Sequence, residues 1–206
     1  MSNQPGERSK LSQPLPSILL ALVLLMSFSF GVFAQDQQQL PDEDFKQQLR
    51  QAIASADQFQ DRFAAEVWLK DMSYRLSQRA PHIPETERLE LLTLVHKEAT
   101  RSKLNPQMVL SLIQVESNFD RFALSKVGAR GLMQIMPFWM DVLGAKQDNL
   151  FDITTNLRYG CAILSIYMKR EKDNISQALA RYHGSYPKDY YSRKVVKAWQ
   201  NQWQYY

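Results

Sequence analysis

The spacing of apolar residues limits this chain more than any other feature. From residue 45 onward they recur at steps of three and four. No stretch alternates with period two for long enough to make a strand. Phe45, Leu49, Ile53, Ala56, Phe59, Phe63 and Val67 form one stripe. It predicts an amphipathic helix that runs on through Trp68, Met72 and Leu76 towards Arg79, until Pro81 and Pro84 interrupt it. Further helices are predicted over residues 85–102, from Asn105-Pro106 to about Glu116, from Pro137 to Gly144, and over 154–171, 175–182 and 188–202. Asn105 is a good N-cap, Pro106 suits the first helical position, and Gly184 stands where a helix stops. Residues 125–136, with Gly128 and Gly131, read as a structured loop. The fold class expected is all-α.

The chain has 206 residues, 45% hydrophobic and 22% charged, which suits one folded domain with a sizeable core. Its net charge of +4 is mild and spread along the chain. With no dense Lys/Arg run and no nucleic-acid motif, nucleic acid is not an expected partner. Arg8 and Lys10 precede an apolar stretch over residues 15–34 that ends Val32-Phe33-Ala34 and turns polar at Gln35. This pattern predicts a secretory signal peptide over residues 1–34. The stretch is also just long enough for an uncleaved membrane anchor. Both readings put the remainder outside the cytoplasm: periplasmic or secreted, or anchored to the inner membrane. Residues 35–84 then form a leader and helical extension, which packs on the domain behind it or offers its stripe to a cell-envelope protein.

Cys161 is the only cysteine, so no internal disulfide is possible, and its helical apolar surroundings predict a buried structural thiol. His82, His96 and His183 are scattered, and nothing calls for a metal or cofactor. Glu116 is the residue that needs explaining. It continues the apolar row Val109, Leu112, Ile113 of its helix. Desolvation of a carboxylate there favours the protonated form and raises the pKa, as in glycosidase acids. Spacing alone favours the blander reading, a glutamate at a fraying helix end reaching water or an N-terminal partner.

The surroundings of Glu116 carry a family pattern. The sequence reads Gln114-Val-Glu116-Ser117-Asn-Phe119, then Ser125, then Gly128-Ala-Arg-Gly131-Leu-Met133-Gln134-Ile-Met-Pro137. Asn149-Leu-Phe-Asp152 and Asn156-Leu-Arg-Tyr-Gly160 follow, then Ala178-Leu-Ala-Arg-Tyr182-His-Gly184. In order and spacing, from about Leu104 to Gly184, these blocks resemble the catalytic domain of the soluble lytic transglycosylases. The resemblance implies a lysozyme-like helical domain over residues 85–206, acting on peptidoglycan glycan strands. Glu116 would protonate the oxygen between N-acetylmuramic acid and N-acetylglucosamine. It would then take the proton of the muramyl 6-hydroxyl, giving a 1,6-anhydro product with no second catalytic carboxylate. The resemblance further implies that Ser125 hydrogen-bonds in the site, that Met133 and Gln134 line the cleft, and that Tyr182 hydrogen-bonds the catalytic carboxylate.

Two positions depart from the pattern. His183 stands where asparagine is usual, and Ile163 where tyrosine is common. Asp120, close to Glu116, reads as a solvated loop acid. Trp139, Tyr186, Tyr190, Tyr191, Trp199 and Trp203 could face sugar rings, though tryptophans at helical spacing are more often core.

Overall fold

The computed structural model describes residues 62–143 and 145–204, together with Glu43 and Gln47. The expected signal segment, most of the stripe from Phe45 and the expected stop at Gly144 lie outside these residues. Among the described residues the regular elements are helical: α1 (Arg62–Arg79), α2 (Glu85–Arg101), α3 (Pro106–Glu116), α4 (Phe138–Leu143), α5 (Ile153–Arg170), α6 (Ile175–His183) and α7 (Tyr190–Ala198). A π-helical turn, Trp199–Trp203, follows α7. Backbone pairing across the loop after α3 is limited to two isolated bridges, Leu124 with Arg130 and Arg130 with Ile135. Among the described residues, no helix is long and apolar enough to cross a membrane.

The helix ends follow from local chemistry. Asn105 caps α3 by accepting from the Met108 amide at 3.0 Å, with Pro106 at the first helical position. Asp152 caps α5 through the Thr155 amide at 2.8 Å, and Asn174 caps α6 through the Gln177 amide at 3.1 Å. Gly184 closes α6 with a left-handed φ of 84°, a conformation that costs a glycine nothing.

α3 and α5 form the centre. Met108 to Ile113 are all buried, so α3 is covered on nearly every side, and α5 buries Leu157, Cys161, Ala162, Ile163 and Leu164 completely or almost so. Each such Leu or Ile contributes roughly 1.5–3 kcal/mol through its removal from water. Burial pushes the Cys161 thiol pKa upward, which keeps the thiol protonated and inert, as its surroundings in the sequence predict. Trp68, Met72 and Leu76 of α1 join the same core. The Trp68 ring stands edge-on to His96 of α2 at 4.9 Å, and Arg75 Nη1 donates to the Gln202 carbonyl at 3.0 Å. The described part of the extension therefore packs on its own domain.

The C-terminal turn closes against α3. Trp203 is fully buried, donates from Nε1 to Gln114 Oε1 at 2.7 Å, and stands 5.5 Å from the Phe119 ring. This arrangement brings α7 alongside the end of α3, where Glu116 lies.

Candidate active site

Glu116 is the last residue of α3, and the chain turns sharply after it. Asn118 and Phe119 both take left-handed φ values, 51° and 67°. Such a conformation is strained for a bulky residue and persists only where packing enforces it. Here the Phe119 side chain is buried against Trp203. Ser117 ties this helix end to the following loop: its hydroxyl donates to the Leu132 carbonyl at 2.8 Å.

The loop is held from beneath by Asn156 of α5, which is buried. Its Oδ1 accepts from the Met133 amide at 2.8 Å, and its Nδ2 donates to the carbonyls of Arg130 at 2.9 Å and Leu150 at 2.8 Å. Two glycines make this fit possible. A Cβ at Gly131 would fall 2.4 Å from Asn156 Nδ2 and 2.6 Å from the Leu150 carbonyl, and its φ is +73°. A Cβ at Gly160 would fall 2.3 Å from Met133 Sδ. The glycines of two separate sequence blocks are therefore explained by one packing contact and one hydrogen-bond cluster.

Glu116 is half-buried as a residue, and burial of its carboxyl pushes the pKa up to about 7. One hydrogen bond opposes that shift: the Tyr191 hydroxyl donates to Glu116 Oε1, which favours the charged form. Tyr191 is buried in the first turn of α7, and burial, followed by the Glu116 charge, raises its own pKa. Tyr182 is buried nearby. Its hydroxyl donates to the Met133 carbonyl at 2.8 Å, and burial, followed by the Glu116 charge, raises its pKa. The two phenols stay neutral at any ordinary pH, so they orient the carboxyl without adding a charge.

The sequence-predicted residues fare differently. Glu116 and Tyr182 are neighbours, but the phenol that donates to Glu116 Oε1 is Tyr191, not the Tyr182 expected in that role. The Tyr182 hydroxyl instead secures the loop backbone. Met133, expected to line the cleft, is fully buried against Gly160, so its side chain belongs to the core, while its carbonyl accepts from Tyr182 and its amide donates to Asn156. Gln134 is part-exposed with a φ of 51°, and its Nε2 donates to the carbonyls of Gly131 at 3.0 Å and Ala123 at 3.2 Å. Its Oε1 has no donor among the described residues. Ser125 Oγ accepts from the Ala129 amide at 3.0 Å, which closes a turn and leaves the hydroxyl hydrogen to donate elsewhere. Asp120 is exposed, and its Oδ1 caps the Phe122 amide at 2.8 Å. Trp139 and Trp203 are core, whereas Tyr186 and Tyr190 are exposed.

Sequence reasoning missed the position of Tyr191 and the clamp made by Asn156. Tyr191 shares a row with Val195 and Ala198, all buried, and that inward-facing spacing was a usable signal. The partners of Asn156 are backbone groups from separate segments, which leave no trace in spacing.

A model of the Transglycosylase SLT domain matches residues 93–195. The chain belongs to this family. The matched region holds Glu116, its two tyrosines and the clamped loop. The SLT domain here is similar to the transglycosylase of Enterobacteria phage PRD1, 40% identical over 81 residues, which cover 39% of this chain and 29% of the phage protein. It is also similar to the membrane-bound lytic murein transglycosylase C of Haemophilus influenzae strain PittEE, 30% identical over 111 residues, 50% of this chain and 31% of that protein. The protein of the same name from Yersinia pestis strain Pestoides F is 30% identical over 119 residues, 53% of this chain and 33% of that protein. The chain thus spans about a third of the length of these relatives.

Proposed function

We propose that this protein is an exported peptidoglycan lytic transglycosylase, and that Glu116 is its single acid and base. The observation that carries this reading is a carboxyl whose pKa burial lifts to about 7, held by a neutral phenol at the end of a helix. An acid with that pKa is partly protonated at neutral pH and close to the ideal for proton transfer. Glu116 gives its proton to the glycosidic oxygen between N-acetylmuramic acid and N-acetylglucosamine as the bond from that oxygen to the muramyl anomeric carbon breaks. The muramyl 6-hydroxyl oxygen then bonds to the same carbon, and its proton passes to the Glu116 carboxylate. The acid is regenerated, no water is added, and a 1,6-anhydromuramyl end results. Ser125 donates its hydroxyl hydrogen to the sugar, and Gln134 accepts through its unused Oε1.

The family membership and the names of the relatives support this assignment of substrate. The apolar segment over residues 15–34 supports export, because the substrate lies outside the cytoplasm. Digestion of purified sacculi, with products weighed by mass spectrometry, tests the reading. Wild-type protein releases muropeptides lighter by one water than hydrolytic products. Glu116→Gln releases none while remaining folded. Hydrolytic product masses would contradict the cyclisation step. Wild-type release by the Gln variant would contradict the assignment of the acid.

A further inference from the structure

We infer that His183 is a positioning residue for Glu116, acting through the ring of Tyr191; this inference rests on the functional reading above. His183 is the last residue of α6, and Tyr191 lies in the first turn of the next helix. Their rings stack with centroids 4.1 Å apart and planes 17° from parallel. The Tyr190 ring stands 5.8 Å from that of His183, with planes nearly perpendicular. The imidazole therefore contacts two aromatic rings, one of which carries the hydroxyl that donates to Glu116.

The geometry has a mechanical consequence. A tyrosine hydroxyl is placed by two side-chain torsions, and a ring stacked flat on it restricts both. The carboxyl must present one oxygen to the glycosidic bond and later receive a proton from a different group. Anchoring Oε1 on a fixed phenol keeps the acid in one place through both steps. The stack supplies that fixity from behind the phenol.

The groups that face the two partners come from three helices. Around the carboxyl are the phenols of Tyr191 from α7 and Tyr182 from α6, and Tyr182 in turn is buried beside Cys161 and Tyr167 of α5. His183 is flanked by Tyr190 and Tyr191. Loosening Tyr191 weakens the one bond that lowers the Glu116 pKa, so that pKa rises. The acid then stays protonated to higher pH, and the basic limb of the activity profile moves upward.

The test is a double-mutant cycle on the full-length protein, read by muropeptide release across pH and by NMR titration of the Glu116 carboxyl carbon. His183→Ala is expected to lower kcat about tenfold with KM unchanged. It is also expected to shift the carboxyl midpoint and the basic limb upward together. His183→Phe, which keeps a ring and removes the titratable nitrogens, recovers most of the loss. His183→Asn behaves like alanine and keeps the test open if alanine unfolds the helix end. In a Tyr191→Phe background, where no hydroxyl remains to position, His183→Ala adds no further loss. Equal effects of His183→Ala in both backgrounds would overturn the inference. So would an unmoved carboxyl midpoint in folded His183→Ala protein. If wild-type protein released no muropeptides, the functional reading would fail, and the titration would still decide the inference.

Discussion

Three buried or half-buried residues, Glu116, Tyr191 and Asn156, decide what the site can do. Glutamate and asparagine are rarely buried, and burial is tolerated only where partners satisfy the polar atoms. Asn156 spends its amide on three backbone groups: one N–H donates to its oxygen, and two carbonyls accept from its nitrogen. Asn156→Ala leaves the Met133 amide and the Leu150 carbonyl without a partner, each worth about 1–3 kcal/mol when buried and unmet, while the Arg130 carbonyl keeps the Ile135 amide at 2.9 Å. Urea unfolding should therefore show a loss of at least about 2 kcal/mol, and a loss under about 0.5 kcal/mol would deny the clamp its role. Glu116 has only the Tyr191 hydroxyl against a larger desolvation penalty, so its equilibrium tips towards the neutral acid. Tyr191 is hard to assign from sequence because two tyrosines on successive helices both point inward. Spacing reports which residues are buried, not which hydroxyl reaches a given oxygen. Met133 misleads for a related reason: beside Gln134 in an irregular loop it reads as groove lining, and only the notch at Gly160 shows that it is core.

At the scale of helices, much is legible. The Asn105-Pro106 start of α3, the Gly184 stop of α6 and the period of α5 follow from local propensity and from the apolar row each helix must bury. Sequence alone predicts a last helix running straight through residue 202. In the structure the helix widens into a π turn at Trp199–Trp203, which lets Trp203 reach Gln114. The change accompanies a tertiary hydrogen bond, and no local signal announces it. The paired charges on α2 are equally silent. Glu98 and Arg101 meet at 2.9 Å with side chains 1% and 5% exposed, close to Cys161 of α5. Arg101→Ala strands a buried carboxylate and should cost about 3–5 kcal/mol. Replacing both by apolar residues of similar size should recover most of that loss, since an ion pair gains little over good packing. Thermal unfolding of the single and double variants measures both outcomes. A double variant as unstable as Arg101→Ala would contradict this account.

For the whole molecule, the site costs stability. An acid whose folded pKa is raised, here from 4.5 to about 7, binds its proton more tightly in the native state than in the unfolded chain. Its contribution to stability is therefore fully present below about pH 4.5 and is lost as pH rises through about 7. The full loss is at most about 3.5 kcal/mol, because each pH unit between the unfolded and folded midpoints is worth about 1.4 kcal/mol. Glu116→Gln carries no such penalty. It should melt above wild type at pH 8, and the gap should narrow steadily towards pH 4. A gap independent of pH would show that the carboxyl titrates normally. The helices α3, α6 and α7 converge on one carboxyl and hold it where water solvates it poorly. The midpoint they set is open to direct reading by NMR, as the pH titration of the Glu116 side-chain carboxyl carbon in the intact protein. A midpoint near 7 is predicted, and a midpoint near 4.5, the value of a freely solvated glutamate, would contradict the account.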